Sequence, residues 1–183
     1  MILTILLTFL FALIRGYSLK NLIKEKTLYP FFIFEIVLIV FQISTYFGIY
    51  IFVPFASALK TLFLLSMLLP FFKYKLFKEG VIGSGFIVAG TVMNKVVMHY
   101  NGGKMPVFPS FSYLTGYTTP EMLTSGVDSI HIMGDASTKL PFLADFIDVG
   151  YSILSIGDIF IRGFVFIMLY ATIKRTCSKR KEL

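Results

Sequence analysis

Several residue types that support soluble enzyme chemistry are scarce in this chain of 183 residues. It has no tryptophan, only two histidines and a single cysteine, Cys177, which excludes an internal disulfide. Only 15% of the residues are charged, against about 25% in soluble domains, whereas 56% are hydrophobic. The sequence contains no phosphate-binding loop, dinucleotide fingerprint or paired-histidine zinc motif, so we expect neither a cofactor nor a metal site. These absences argue against a soluble domain and favour a membrane protein.

Long hydrophobic runs replace the missing charges. We expect transmembrane helices over residues 1–14, 31–52, 55–72, 81–98 and 149–173. The first run is only about 21 Å long as a helix, so we expect it to continue into the basic segment that follows. The sequence therefore predicts an all-α polytopic membrane bundle of about five transmembrane helices, which forms one integral membrane domain over residues 1–183.

Basic residues set the expected orientation. Segments 15–26, 73–78 and 174–181 lie beside the hydrophobic runs and together hold twelve of the 17 lysines and arginines. With five spans they share one side, which the positive-inside rule makes cytoplasmic. The N-terminus is then outside, the C-terminus is inside, and residues 100–148 form an extracytoplasmic cap of short helices and turns between the fourth and fifth spans. Because most basic residues lie beside the hydrophobic runs, where they set the orientation, the net charge of +7 does not indicate nucleic-acid binding, and we expect no nucleic-acid partner.

Ionisable residues within spans are functional candidates by default. Asp158 and Arg162 are four residues apart on one helix, where they can pair, dock helices or relay a proton or substrate. Glu35 lies near the cytoplasmic end of its span, and we expect a nearby lysine to pair with it. Glycines 83, 85 and 90 in the fourth span allow close helix–helix approach.

The outer segment carries His131 and the carboxylates Asp135, Asp145 and Asp148. One histidine and three carboxylates could hold a divalent cation, although no zinc-site spacing supports it. The alternative is a polar cap in which these residues make turns and helix caps.

Three motifs resemble an uncharacterised family of small bacterial integral membrane proteins. They are "NGGKMPV" at residues 101–107, "TKLPFLAD" at 138–145 and "SIGD" at 155–158. The family commonly has arginine where this chain has Lys104. The resemblance implies a multi-pass protein of the bacterial inner membrane, but no reaction. The signature residues it implies are Asn101, Gly102, Gly103, Lys104, Met105, Pro106, His131, Thr138, Leu140, Pro141, Asp145, Gly157 and Asp158.

The glycine pair suggests a binding turn. Glycines tolerate positive φ, and their N–H groups can form a nest for an anion, with Lys104 beside them. We expect this turn to fold against residues 138–145, with Asp145 pairing with Lys104. The candidate ligand-binding residues are Asn101, Gly102, Gly103, Lys104, His131, Thr138, Asp145, Asp158 and Arg162, and no residue is assigned a catalytic role.

These features favour a non-enzymatic membrane subunit that binds a small ligand or protein partner through its outer cap. It would be an accessory, sensory or substrate-capturing component of a membrane complex or importer. The alternatives are a membrane enzyme that acts on a lipid or isoprenoid at the outer interface, and a small ion- or proton-coupled transporter. The expected partners are the lipid bilayer and either a membrane protein or a second copy of the chain.

Overall fold

The structure, a computed structural model, describes residues 1–119 and 130–181, with side chains up to residue 176, and is mostly helical. The Cys177 side chain and part of the expected cap, residues 120–129, lie outside this description. The α-helices are α1 (Ile2–Ile14), α2 (Tyr29–Tyr46), α3 (Val53–Leu65), α4 (Leu68–Tyr74), α5 (Phe77–Tyr100), α6 (Phe111–Thr115) and α7 (Ile156–Lys181). Short 3-10 helices cover Leu19–Lys24, Lys26–Leu28 and Pro141–Leu143.

Four helical segments are long and apolar enough to cross a membrane. They are Lys26–Tyr46, Val53–Tyr74, Phe77–Tyr100 and Ile156–Thr176. The helix expected to extend beyond residue 14 does not do so. It ends at Arg15, and Gly16 has a φ of +80°. Its 13 residues measure about 20 Å, less than the ~30 Å of a hydrocarbon core.

Two other expected spans have different limits. Helix α2 stops at Tyr46 rather than residue 52, because the chain turns at Gly48, where φ is +76°. Helix α7 starts at Ile156 rather than residue 149, because the apolar residues before it form strands. Strands β3 (Ile147–Asp148) and β4 (Ile153–Leu154) pair antiparallel.

The all-α expectation also omitted a second pair of strands. Strand β1 (Met105–Val107) pairs in parallel with β2 (His131–Met133), so the expected cap of short helices and turns contains strands as well. Short strands in a mostly helical chain give little periodicity, since three residues contain hardly more than one alternation.

The chain divides into two compact units. The first contains Met1–Leu38, Ala58–Ile87 and the described residues from Arg162 onward, and the second contains Ile39–Ser57 and the described residues of Val88–Ile161. The prediction of one membrane domain over residues 1–183 stays a prediction.

The first unit has an aromatic-rich core. Phe31 and Phe63 are fully buried, with ring centroids 4.5 Å apart. A Cβ on Gly83 would lie 2.7 Å from the Phe164 ring, so this glycine permits the close helix approach that we expected. Glu35 is buried, but not with the expected lysine: its Oε1 lies 3.2 Å from the amino group of Met1.

Candidate functional site

The "NGGK" turn ends helix α5. Gly102 and Gly103 have φ angles of +66° and +81°, as the glycine pair predicted. The N–H of Gly103 donates to the carbonyl of Met98 at 2.8 Å, and that of Lys104 donates to the carbonyl of Asn101 at 3.2 Å. Carbonyls of the last helical turn therefore take two of the donors that an anion nest would need. These two N–H groups are therefore engaged within the turn, which caps the helix, and anion binding by the turn stays a prediction.

Asn101 fastens this turn to the segment that begins at Thr138. Its side-chain Nδ2 donates to the carbonyl of Lys139 at 2.9 Å, and its Oδ1 accepts from the Lys139 N–H at 2.9 Å. Nδ2 also donates to the carbonyl of Val97 at 2.7 Å. One amide thus joins the end of α5 to residues 138–145, which places the two motifs against each other as expected.

Strand β1 runs between two other segments. On one side it pairs with β2, where Met105 lies opposite His131. On its other side, the N–H of Asp145 donates to the carbonyl of Pro106 at 3.0 Å, and the N–H of Phe108 donates to the carbonyl of Asp145 at 2.8 Å. The main chain therefore fixes His131 and Asp145 on opposite edges of one short strand.

The two side chains meet across this strand. The Nε2 atom of His131 lies 3.4 Å from Oδ2 of Asp145. The Asp145 side chain is 5% exposed, whereas the His131 side chain is 33% exposed. The carboxylate can therefore orient an imidazole ring that still reaches solvent. Lys104 is half-buried and immediately precedes β1, and its pairing with Asp145 stays a prediction.

The other carboxylates of the segment 100–148 have local structural partners. Asp148 accepts from the N–H groups of Ser110 and Ser112, each at 2.8 Å, and its other oxygen accepts from the N–H of Gly150 at 2.8 Å. Partial burial raises the pKa of Asp148, but these backbone N–H groups lower it more, so its pKa lies below the ordinary value. Asp148 therefore caps the start of α6 from a distance.

Asp135 organises an exposed turn. Its carboxylate accepts from the N–H and hydroxyl of Ser137 at 2.8 and 2.6 Å, and its own N–H donates to the hydroxyl of Thr138 at 2.9 Å. The bonds from Ser137 hold the Asp135 pKa below its ordinary value. Thr138 thus has a local role in this turn. Within the described ranges, no group of three potential metal ligands comes together.

The "SIGD" motif fastens the start of α7 to α5. The hydroxyl of Ser155 accepts from the Asp158 N–H at 2.9 Å, while the Ser155 N–H donates to the Asp158 carboxylate at 3.4 Å. This reciprocal pattern is a capping box. Asn94 joins the two residues, since its Oδ1 accepts from the Ser155 hydroxyl at 2.8 Å and its Nδ2 donates to Asp158 at 3.0 Å. Arg162 lies one turn further along α7, and its pairing with Asp158 stays a prediction.

Gly157 has a steric role within the same motif. A Cβ at this position would lie 2.6 Å from the carbonyl oxygen of Gly90 and 2.7 Å from Cγ of Asn94. Only glycine leaves room for the two helix backbones at this contact.

The model of a family of unknown function, DUF5317, matches residues 19–170, which is most of the chain. The chain belongs to this family. No match is found among curated proteins or among solved structures.

The DUF5317 match contains every residue of the candidate site and begins after α1. The expected membership of an uncharacterised family is confirmed, whereas the three motifs as family signatures stay a prediction.

The sequence analysis of this DUF5317 chain missed the roles of Asn94 and Ser155. The spacing S-x-x-D in "SIGD" is a capping-box signal that could have identified Ser155. Asn94 gives no local signal, since its partners lie more than 60 residues away.

Proposed function

We propose that this protein is an integral membrane subunit that captures a small ligand through His131 on its outer cap. It would serve as an accessory, sensory or substrate-capturing component of a larger membrane complex. Four apolar helices long enough to cross a bilayer support a membrane location. The basic segments support an orientation with a cytoplasmic C-terminus and an extracytoplasmic cap, in the inner membrane of a bacterium. A fifth span and an outer N-terminus would require the short α1 to cross as well.

The pair of His131 and Asp145 carries the proposal. A buried carboxylate that faces a partly exposed imidazole is a common way to hold a histidine ready for a ligand. The other ring nitrogen would then bond with the ligand. Lys104, immediately before strand β1 that lies between the two residues, would supply positive charge. The hydrogen bonds of Asn101 to Lys139 and Val97 would keep the end of α5 fixed while the ligand enters or leaves.

Native mass spectrometry of the protein extracted gently from its own membrane tests this function. We expect the wild-type protein to retain a non-lipid mass and the His131→Asn variant to lose it. Asparagine can still donate a hydrogen bond to Asp145, so folding should survive. The matched control is His99→Asn, because His99 is the only other histidine and lies at the exposed end of α5. The control variant should retain the mass.

Two results would contradict the proposal. One is a wild-type protein that carries lipids alone, and the other is a ligand mass that persists in His131→Asn. A retained polypeptide that is lost in His131→Asn would identify the occupant of the cap as a protein partner.

The same pair also favours a second candidate, a membrane enzyme that acts on a lipid or isoprenoid at the outer interface. A carboxylate that orients a histidine is the basic half of many acid–base sites. Turnover of such a substrate by the purified protein, abolished in His131→Asn and retained in His99→Asn, would establish the enzyme. The transporter alternative has less support, because the hydrogen bonds of Asp158 to Asn94 and Ser155 already explain that carboxylate.

A further inference from the structure

A second, strongly positive surface lies in the first unit, where α4 ends and α5 begins. The 3-10 helix Lys26–Leu28 packs against α4, so two of the basic segments come together here. Four exposed lysines lie at this junction: Lys26, Lys73, Lys75 and Lys78. Two more exposed lysines, Lys20 and Lys24, precede it in the chain. Clustered like charges create a positive local potential that attracts anions.

The acidic residue between these segments does not neutralise the surface. Glu25 is buried, and its Oε1 accepts from Lys73 Nζ at 2.6 Å and from the Thr27 hydroxyl at 2.6 Å. Its Oε2 accepts from the hydroxyl of Tyr74. The carboxylate therefore points inward and forms an ion pair with Lys73 alone among these lysines. The other exposed lysines face the surroundings.

An apolar groove adjoins the positive surface. It is shallow and open to the surroundings, and it is lined by Phe77, Lys78, Val81 and Ile82 on the first turns of α5. Val81 is 75% exposed, and it lies on α5, which is a candidate membrane span. The groove thus begins at a lysine and continues along apolar side chains into the span.

This arrangement suits an amphiphile with a negative head. We infer that the surface binds an anionic phospholipid, with its phosphate on Lys75 and Lys78 and an acyl chain along Phe77, Val81 and Ile82. A nucleic acid would use the lysines but not an apolar groove within a span. Juxtamembrane lysines attract anionic lipids through the same charge, and here the groove fixes where the chain lies. The inference is independent of the function proposed for the outer cap.

Native mass spectrometry of the detergent-purified full chain, titrated with equimolar dioleoyl phosphatidylglycerol and phosphatidylcholine, tests the site. The test variant is Lys75→Asn with Lys78→Gln. Lys75 has a φ of +51°, a conformation that asparagine tolerates, so the exchange removes charge without adding backbone strain. The control carries Lys95→Gln and Lys139→Gln, which remove the same charge from two other exposed lysines.

The wild-type protein and the control should retain phosphatidylglycerol in preference to phosphatidylcholine. The test variant should bind phosphatidylglycerol about thirtyfold more weakly at low salt, as expected for the loss of two juxtamembrane cations. A wild-type protein without lipid preference would overturn the inference, and so would equal losses in both double variants. Displacement of the lipid by glycerol phosphate at equal concentration would also overturn it, because the groove would then contribute nothing. If the test variant aggregates, Lys78→Gln alone must show part of the loss.

Discussion

Replacing Glu25 by glutamine tests whether a buried charge cluster holds the basic segment onto α4. Burial raises the pKa of Glu25, but hydrogen bonds from Lys73, Thr27 and Tyr74 outweigh that effect and lower the pKa to about 2. A group with a depressed pKa stabilises the folded state above its unfolded pKa, which is close to 4.5 here, and loses that contribution as the pH falls through the folded value. The stabilisation should therefore be complete at pH 7 and disappear between about pH 4.5 and pH 2.

The magnitude follows from the pKa of Glu25. A fall from 4.5 to about 2 corresponds to about 3 kcal/mol, since each tenfold change in proton affinity is worth ~1.4 kcal/mol. This is an upper value for Glu25→Gln, because the amide can still bond with Thr27 and Tyr74. For a chain of this length, 1 kcal/mol shifts the melting temperature by about 2–4 °C, so the drop at pH 7 should be measurable and at most roughly 6–12 °C.

Circular dichroism in detergent measures this shift, since the chain has no tryptophan for fluorescence. The difference in melting temperature between wild type and Glu25→Gln should shrink as the pH is lowered from 7 to 3. Glu79→Gln, at the first turn of α5, is the control and should shift the melting temperature by a few degrees at most. A variant as stable as wild type at pH 7, or a difference that is unchanged at pH 3, would refute the reasoning.

Two further variants test the helix anchors of the second unit. Gly157→Ala should destabilise the protein by about 1–3 kcal/mol, because the new methyl would collide with Gly90 and Asn94. The control, Gly85→Ala, has no described atom within 4 Å of the new methyl and should be neutral or slightly stabilising. Thermal unfolding compares the two variants. For Asp148, whose pKa is lowered, the cap on α6 should hold above the ordinary aspartate pKa and loosen as the pH falls through the lowered value. The protection of the capped amides against hydrogen exchange, relative to the intrinsic exchange rate at each pH, should fall in acid for wild type. In Asp148→Asn the protection should be lower than in wild type at neutral pH and independent of pH.

Hydropathy predicted the four apolar helices that are long enough to cross a membrane, because their apolar runs are long, but it could not place their ends. The stretch before α7 is as apolar as a span, yet Asp148 accepts from the N–H of Gly150, where φ is +82°, and starts a hairpin turn. One side chain and one glycine thus outweigh the hydrophobicity of residues 149–155. The end of α1 shows the same limit, because Gly16 turns the chain where hydropathy alone suggested a longer helix.

Part of the candidate site was also predictable from local chemistry. A glycine pair after a helix predicts positive φ, and Gly102 and Gly103 have it. The pairing of Asp145 with His131 was not predictable, since the two are brought together by strand β1, which is more than 20 residues away in sequence. Neither strand partner carries a local signal, so only the tertiary structure reveals the pair.

The motifs differ in how completely structure explains them. In "SIGD", Ser155 and Asp158 form a capping box and Gly157 admits the neighbouring helix, so helix packing accounts for all three residues. The pair of His131 and Asp145 is different, because a buried carboxylate beside an imidazole is costly to desolvate and contributes little net stability compared with apolar packing. If this segment served only to stabilise the fold, hydrophobic residues at these two positions would stabilise it more. The buried carboxylate and the partly exposed histidine support the proposal that this pair binds a ligand, and His131→Asn is the variant that tests it.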